Sequence, residues 1–457
     1  MSVATSEIKK NSENNAPTLA RKLALGGGFF SLFFVDKGVE LLAIPFYQMT
    51  LGVDPFLFSL ALTIPIIFSA FLSPWAGKLS DNCESRFGRR RPFIVVAAWL
   101  NCLFFGLIWM VPEHWSSETQ LLYFFITSLL FYLASPFYSV PLTSLSYEIT
   151  RDVNERIKVM EINSYFIKLA SMSSQWLFPL ATLTIFSSVF VGIKVVGWSI
   201  AILVIAVVGM LPAFFIPDKS VVVRQSVKGI TVLQSIRTIL SVPLMRLIFV
   251  IVFIQLGCAA YAARMDYYIL VYYMNDGNIS EGAVWKAVLS MGYAIIAAVY
   301  IPIVSRLSRI YGKLPTLKVI FTLALMGGIA KWFIFAPGVQ WLLLLDPLLC
   351  AGIWTAMTII IPALVAEASN QDSDNTKVRR EGVFAALHGW MAAISVMFAL
   401  LVGGVSLNAI GFDASKGSEQ LPSALQYMKY ILSLGTAISS LFAILVLHRF
   451  QKKHYKA

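Results

Sequence analysis

Long apolar runs dominate this chain and restrict its fold more than any other feature. About twelve times along the sequence, roughly 20 mostly apolar residues follow one another, and each run is long enough to cross a bilayer as a helix. Only 13% of the residues are charged, against about 25% in a typical soluble domain. Such a chain cannot cover its own surface in water. We therefore predict an all-α membrane protein with about 12 transmembrane helices.

The predicted spans form two groups of six. The first group lies at roughly 23–49, 56–79, 92–112, 120–147, 161–187 and 193–216, and the second at roughly 242–273, 284–305, 316–336, 340–367, 383–410 and 426–449. Prolines inside these runs indicate bent helices beside a cavity, at Pro65, Pro136, Pro141 and Pro179.

Basic residues concentrate in alternate loops and near the C-terminus. The set comprises Arg86, Arg89, Arg90, Arg91, Arg151, Arg156, Lys158, Lys219, Arg224, Lys228, Arg306, Arg309, Lys313, Lys377, Arg379, Arg380, Arg449, Lys452, Lys453 and Lys456. The opposite loops VPEHWSSET (111–119) and MNDGNISEG (274–282) contain no Lys or Arg. This positive-inside pattern predicts a multi-pass protein of the cell inner membrane with both termini in the cytoplasm. The net charge of +12 then reflects topology, and no nucleic-acid partner is expected.

A polar segment divides the chain into two halves. We predict a cytoplasmic tail at 1–21, a six-helix half at 22–217, a central cytoplasmic loop at 218–241, a second half at 242–449 and a tail at 450–457. The segments GKLSDNCESRFGRRR (77–91) and SRLSRIYGK (305–313) occupy corresponding turns of the two halves. Two such halves are typical of the major facilitator fold, in which substrate binds between the halves near the bilayer midplane.

Signs of enzyme chemistry are missing from the sequence. The four cysteines, Cys83, Cys102, Cys258 and Cys350, form no C-x-x-C pair and predict neither a disulfide framework nor a thiolate metal site. The N-terminal segment lacks the apolar core of a signal peptide. No phosphate loop, metal cluster or catalytic triad is recognisable, so we expect no enzyme, no cofactor and no bound metal.

Three loop motifs carry a family resemblance. SDNCESRFGRRRPF (80–93), TRDVNER (150–156) and RREG (379–382) occur in this order across both halves. Together they resemble the loops of the glycoside–pentoside–hexuronide:cation symporters, a melibiose-permease-like family, and the first is especially similar to the loop of plant sucrose symporters. The resemblance covers nearly the whole chain. It implies a secondary transporter that moves a sugar or glycoside by alternating access, together with a cation.

The same loops contain candidate gating residues. Asp81 ends the second span, and Arg86, Arg89 and Arg90 follow it within reach of an ion pair; Arg380 and Glu381 lie in the RREG motif. Ion pairs of this kind can hold one face closed and break when the halves rock. The alternative is that the arginines only determine topology. We also expect Glu367 to pair with Arg379 or Arg380.

Departures from the family pattern bear on the coupling ion. Where melibiose permease has two cation-binding aspartates in its second helix, this chain has Ser69 and Ser73, and where it has an aspartate in its fourth helix, this chain has Ser139. Its tryptophan, arginine and lysine positions are Thr143, Ser164 and Ala393 here, whereas its first-helix aspartate is matched by Asp36. The resemblance therefore implies the family fold with a different set of cation and sugar ligands.

Charged residues inside the first span are the leading coupling candidates. Asp36 and Glu40 are four residues apart and share a helix face. A charge at mid-membrane is costly and usually functional, and one of two close carboxylates tends to hold a proton. The alternative is a structural ion pair with Lys37 or with Lys168 of the fifth span.

Polar and aromatic residues of later spans are the substrate candidates. Arg264 and Asp266 lie in the seventh span, with Tyr261, Tyr268 and Tyr272 at helical spacing, and could bind sugar hydroxyls or a sugar carboxylate; the alternative is a gate salt bridge. Gln175, Trp176, Trp354, His388 and Trp390 are weaker candidates, since membrane tryptophans more often pack or lie at interfaces. Asp346 and Lys331 are expected to be structural.

The sequence thus favours a symporter for a sugar or glycoside, with a proton preferred over sodium as coupling cation. An uncoupled facilitator and a non-transporting membrane sensor are the alternatives. The expected partners are the small-molecule sugar, the cation and the lipid bilayer, and the expected state is a monomer.

Overall fold

A computed structural model describes residues 17–150, 153–217, 241–376 and 381–454, and every regular element in these ranges is helical. The helices of the described residues combine into twelve long segments, here numbered α1 to α12. Their bounds are 19–50, Pro55–Asp81, Arg91–Ile108, 117–148, 153–181, Val189–Phe215, Pro243–Tyr273, Ile279–Tyr311, Lys313–Ile334, Leu345–Thr376, Glu381–Ala409 and Pro422–His454. The predicted all-α class and the number of spans agree with this architecture.

Ten of the segments are long and apolar enough to cross a membrane by composition alone, counted over the described residues. The other two are α1 and α5, which have the length but carry charged residues along it. A charged residue within a membrane helix has a free-energy cost of several kcal/mol, about 2.5–3.5 kcal/mol on insertion scales. Charged residues that α1 and α5 retain at this cost therefore make these two helices candidates for a functional site.

The chain divides into two compact units. The first comprises residues 1–53 and 60–223, and the second comprises residues 54–59 and 224–457. Helix α12 continues to His454, four residues beyond the predicted start of the C-terminal tail. The predicted central loop, 218–241, lies outside the described residues except for residue 241.

Close helix packing holds the first unit together around α1. A Cβ atom at Gly26 would lie 2.4 Å from the Phe166 ring of α5, and one at Gly28 would lie 2.5 Å from Pro212 of α6. The Tyr138 hydroxyl of α4 donates to the carbonyl groups of Gly28 (3.1 Å) and Gly209 (3.0 Å). The two glycines of α1 thus allow close approach of the neighbouring helices α5 and α6, and the tyrosine of α4 hydrogen-bonds to the backbone of both α1 and α6.

Two of the four predicted proline positions interrupt a helix. Helix α4 breaks at Ser135, where Pro136 has no N–H group to donate to the Tyr132 carbonyl, and the Ser135 hydroxyl donates to that carbonyl instead (3.2 Å). Helix α5 breaks at residues 175–176, four and three residues before Pro179. At Pro65 and Pro141 the α-helix continues without a break.

The core of the second unit lies where α7, α9, α10 and α12 meet. Large apolar side chains such as Ile248, Phe321 and Ile360 are fully or almost fully buried there. Gly328 of α9 packs against the Ala437 backbone of α12, and the Ser433 hydroxyl donates to the Gly328 carbonyl at 2.8 Å. This packing aligns the inner faces of α7, α9, α10 and α12, which carry the polar residues described below.

Candidate functional site

Helix α1 presents two carboxylates on one face. Asp36 is not covered by other residues of the described chain, and it makes no hydrogen bond or ion pair with any of them. Glu40, one turn later, lies 3.6 Å from the Lys37 ammonium group. The ion-pair alternative therefore applies to Glu40 and Lys37, while Asp36 carries a charge that no hydrogen bond or ion pair within the described part compensates.

A tyrosine of α4 completes this cluster. Tyr132 lies close enough to Asp36 and Glu40 for their charges to act on its hydroxyl group. Its side chain is 5% exposed, and the hydroxyl has no hydrogen-bond partner among the described residues. An unpaired buried hydroxyl is costly, so a water molecule or another polar group is expected beside it. Sequence reasoning missed Tyr132, because nothing in an apolar run indicates which neighbouring helix a tyrosine faces.

Lys168 was the second proposed counter-charge, and it forms no ion pair in the described ranges. It lies seven residues before Gln175, which is two helical turns and the same face of α5. Gln175 and Trp176 both lie at the break of α5 and are half-buried. Because Pro179 cannot donate to the Gln175 carbonyl, the backbone there is open to other donors.

Serines replace the family's charged positions, and they bond to one another and to the backbone. The hydroxyl oxygens of Ser69 in α2 and Ser135 in α4 lie 3.1 Å apart, and the Ser73 hydroxyl donates to the Ser69 carbonyl at 3.0 Å. The Thr143 hydroxyl donates to the Ser139 carbonyl at 2.7 Å. These groups offer neutral oxygen atoms and no carboxylate.

Helix α7 brings the predicted Asp266 to a lysine that sequence reasoning missed. The Lys286 ammonium group of α8 lies 2.6 and 2.7 Å from the two Asp266 carboxylate oxygens. Asp266 is thus held in a salt bridge with a residue of the neighbouring helix. Arg264 is half-buried, and Tyr268 is 5% exposed with its ring 5.4 Å from that of Phe412. The Tyr268 ring thus packs edge-on against that of Phe412.

A second ion pair lies deeper in the same unit. The Lys331 ammonium group of α9 and the Tyr293 hydroxyl of α8 both donate to Oδ2 of Asp346 in α10, at 2.6 and 2.7 Å. Lys331 and Asp346 are 3% and 1% exposed. A small cavity borders this group, and Trp354, 47% exposed, lines the same cavity.

The two candidates of α11 stand apart from these clusters. His388 is half-buried and makes no hydrogen bond within the described residues. Trp390 is 58% exposed. Neither residue lines the cavity beside Trp354.

The basic loop after α2 forms one of the predicted pairs. Arg90 is 5% exposed, and its Nη2 atom donates to the Asp81 carboxylate at 3.0 Å. Arg86 instead places its guanidinium group 4.7 Å above the Phe87 ring. Arg89 has no salt bridge with Asp81 in this part of the chain. Of the three predicted arginines, the structure thus brings Arg90 to Asp81.

The third motif lies at the edge of what the structure describes. Arg380 falls outside the described residues, and Glu381 begins α11 without a described side chain. The expected partners of Glu367, Arg379 and Arg380, both lie outside the described residues. Within the described residues Glu367 pairs with Lys313 at 2.8 Å, because the start of α9 lies beside this part of α10. Lys313 opens α9 just after the turn that corresponds to the first basic loop.

The sequence also matches a known protein family. A family model described as MFS/sugar transport protein matches residues 28–452. The chain belongs to this family. Its members are membrane transporters rather than enzymes, and the resemblance inferred from the loop motifs is thereby confirmed.

Two relatives can be aligned with most of the chain. The uncharacterized symporter YnaJ of Bacillus subtilis (strain 168) is 22% identical over 414 residues, covering 89% of this chain and 86% of the relative. The isoprimeverose transporter of Lactiplantibacillus pentosus is 22% identical and covers 84% of this chain and 79% of its own length. Over most of its length the chain is thus similar to proteins named as a symporter and as a sugar transporter.

Solved structures show the same fold. A mutant of the nucleoside transporter NupG superposes with a TM-score of 0.64 at 14% identity, over 93% of this chain and 99% of that structure. A bacterial homolog of the human lysosomal transporter Spinster gives 0.62 at 14% identity, over 95% and 96%. At this identity the likeness concerns the fold. The protein is a multi-pass transporter of the major facilitator fold, as its two groups of six spans predicted.

Proposed function

We propose that this protein is a proton-driven symporter of a sugar or glycoside. The substrate class is supported by the names of its relatives, which include an isoprimeverose transporter and an Escherichia coli (strain K12) glucuronide carrier protein homolog. The symporter names of other relatives support coupling to a cation.

The observation that carries the proton assignment is the environment of Asp36. It is a carboxylate inside a membrane helix, and no hydrogen bond or ion pair to another described residue compensates it. Glu40 lies one turn away, and Tyr132, whose hydroxyl has no hydrogen-bond partner among the described residues, lies within electrostatic range of both carboxylates. A carboxylate in such a position can be neutralised by binding a proton, and the neutral form crosses the low-dielectric region at much lower cost.

Sodium is disfavoured by the residues at the family's cation positions. Sodium, a hard cation, is expected to need several oxygen ligands and usually a carboxylate, as such cations do in proteins. Ser69, Ser73 and Ser139 supply only neutral oxygens, and the hydroxyls of Ser69 and Ser73 already take part in hydrogen bonds within the first unit. An uncoupled facilitator is the second candidate, because the same replacements remove the family's carboxylates.

The orientation follows from the basic loops. We place both termini in the cytoplasm and the protein in the cell inner membrane, because the loop after α2 and the C-terminal end of α8 carry arginines while the loops after α3 and α7 carry none. The same orientation puts the Asp81–Arg90 pair on the cytoplasmic side. We expect the protein to act as a monomer.

The deciding experiment is uptake into proteoliposomes. Isoprimeverose, methyl glucuronide and melibiose are offered with an imposed pH gradient, an imposed sodium gradient, or neither. Accumulation that follows the pH gradient alone is the expected result. Accumulation that follows sodium alone would refute proton coupling, equilibration without accumulation would favour the facilitator, and specific binding without any uptake would favour the sensor.

A further inference from the structure

A cavity lies within the second unit, enclosed by residues of α7, α8, α9, α10 and α12. Its lining residues are Gln255, Ala259, Ala260, Ala263, Tyr293, Lys331, Cys350, Ile353, Trp354 and Thr436. The volume open to the centre of a water-sized sphere is about 40 Å³. That volume holds about two or three water molecules, or one polar substituent of a larger molecule.

Gln255 is the unexplained residue of this cavity. Its side chain is 2% exposed, yet neither its amide nitrogen nor its amide oxygen has a hydrogen-bond partner among the described residues. Leaving such a group unpaired costs about 1–3 kcal/mol for each buried donor or acceptor. A membrane helix retains a glutamine at that cost when a partner from outside the described chain completes its hydrogen bonds.

The charged residue that lines the cavity, Lys331, is already paired with Asp346. Lys331 and Asp346 neutralise each other at 2.6 Å, and the Tyr293 hydroxyl donates to the same carboxylate oxygen. A pocket whose charges cancel does not attract an ion in preference to a neutral molecule. The Asp346 Oδ1 atom, like the Gln255 amide, lacks a hydrogen-bond partner in the described part of the protein. The unpaired Gln255 amide thus lines a cavity whose one charged lining residue is already neutralised.

The remaining walls are apolar and small. Three alanines of α7 leave the space open, and the Trp354 indole borders it with a half-exposed surface. An amide offers two donors and an acceptor, and a sugar hydroxyl both donates and accepts, so the two groups complement each other. The aromatic surface beside them suits the apolar face of a sugar ring.

We propose that the Gln255 amide binds a hydroxyl group of the transported sugar, and that this cavity receives one hydroxyl or hydroxymethyl substituent. The proposal rests on the proposed function, because it takes a sugar as the substrate. It adds a specificity-determining residue on α7, where the sequence singled out only Arg264, Asp266 and the tyrosines. The sugar hydroxyl replaces the water molecules that occupy the cavity when no substrate is bound.

The test is a comparison of binding by wild-type protein and a Gln255→Met variant, which keeps the length of the side chain and removes the amide. Affinities are measured on folded, detergent-purified protein for isoprimeverose, methyl glucuronide and melibiose, and for monodeoxy derivatives of whichever binds tightest. We expect Gln255→Met to bind the parent sugar about tenfold more weakly. The matched control is Gln120→Met, at a glutamine that is 3% exposed but whose amide already donates to two loop carbonyls, so its sugar affinity is expected to be unchanged.

The deoxy derivatives separate direct contact from indirect damage. One deoxy derivative should bind to the wild-type protein about tenfold more weakly than the parent sugar does. The Gln255→Met variant should bind that derivative and the parent sugar with nearly equal affinity. If Gln255→Met does not fold, Gln255→Asn, which withdraws the amide by one methylene, is measured in the same cycle.

Three outcomes count against the proposal. Equal affinity of both proteins for the parent sugar overturns it, as does an equal loss for every deoxy derivative in both, and in either case sugar transport itself still stands. If wild type neither binds nor transports any of the three sugars, the proposed function fails for them and the inference falls with it.

Discussion

Lys331 and Asp346 lie 2.6 Å apart on neighbouring helices, and both side chains are almost completely buried. Taking one charge away leaves the other in a low-dielectric environment, which costs about 3–5 kcal/mol, whereas replacing both can be nearly neutral. The Tyr293 hydroxyl donates to the same carboxylate oxygen, so the network also links α8 to α9 and α10. The energetics of this pair can be tested directly.

We predict that Lys331→Met and Asp346→Asn each destabilise the protein strongly, and that the double variant recovers most of the loss. Thermal unfolding of the purified protein in detergent measures the effect. The matched control is Lys416→Met, which removes an exposed lysine 4.0 Å from Asp413 and should change stability little, because exposed ion pairs contribute little. Additive losses in the double variant would contradict the prediction.

Asp36→Asn should abolish accumulation of sugar driven by a pH gradient, because asparagine cannot exchange a proton. Exchange of labelled for unlabelled sugar at equal concentrations needs no net coupling, so it should persist unless Asp36 also binds the sugar. Glu40→Gln should weaken accumulation less, since the Glu40 charge is balanced by Lys37 at 3.6 Å. Proteoliposome uptake and counterflow measure both.

The control for the Asp36 prediction is Glu113→Gln, which removes a carboxylate from the exposed turn before α4. It should retain normal accumulation. If Asp36→Asn accumulated sugar as well as wild type under a pH gradient, the coupling assignment would be wrong and a different proton carrier would be needed.

The Asp81–Arg90 pair should govern the rate of the conformational cycle. Arg90→Gln and Asp81→Asn are expected to slow uptake while leaving sugar affinity within about twofold, because the pair lies in a loop away from the membrane interior. Arg86→Gln is the matched control, since Arg86 packs over Phe87 and makes no salt bridge with Asp81 in the described residues. An equal loss of affinity in folded Arg90→Gln would argue against a gating role.

Labelling of Cys83 tests the proposed orientation. Cys83 is partly exposed in the loop after α2, whereas Cys102 and Cys350 are buried. A membrane-impermeant maleimide should label Cys83 only after the cells are permeabilised, and Cys83→Ser should remove that signal. Rapid labelling of Cys83 in intact cells would reverse the assigned topology.

The amino-acid sequence by itself determined the membrane class, the number of spans and the family. These properties depend on the length of each apolar run against the bilayer thickness, on the side of the membrane that basic loops prefer, and on short loop motifs. All three are local in the sequence, so a single chain suffices to predict them. The helix breaks at Pro136 and Pro179 are local for the same reason, since a proline removes a specific backbone hydrogen bond.

Only the tertiary structure decided which polar groups meet. Asp266 pairs with Lys286, Glu367 with Lys313, and Asp346 with Lys331. Spacing along a helix shows which residues share a face, but not which other helix that face meets. For the same reason no pattern in the sequence distinguishes Gln255 or Tyr132 from other buried polar residues, because an unmet hydrogen bond depends on every helix packed around it.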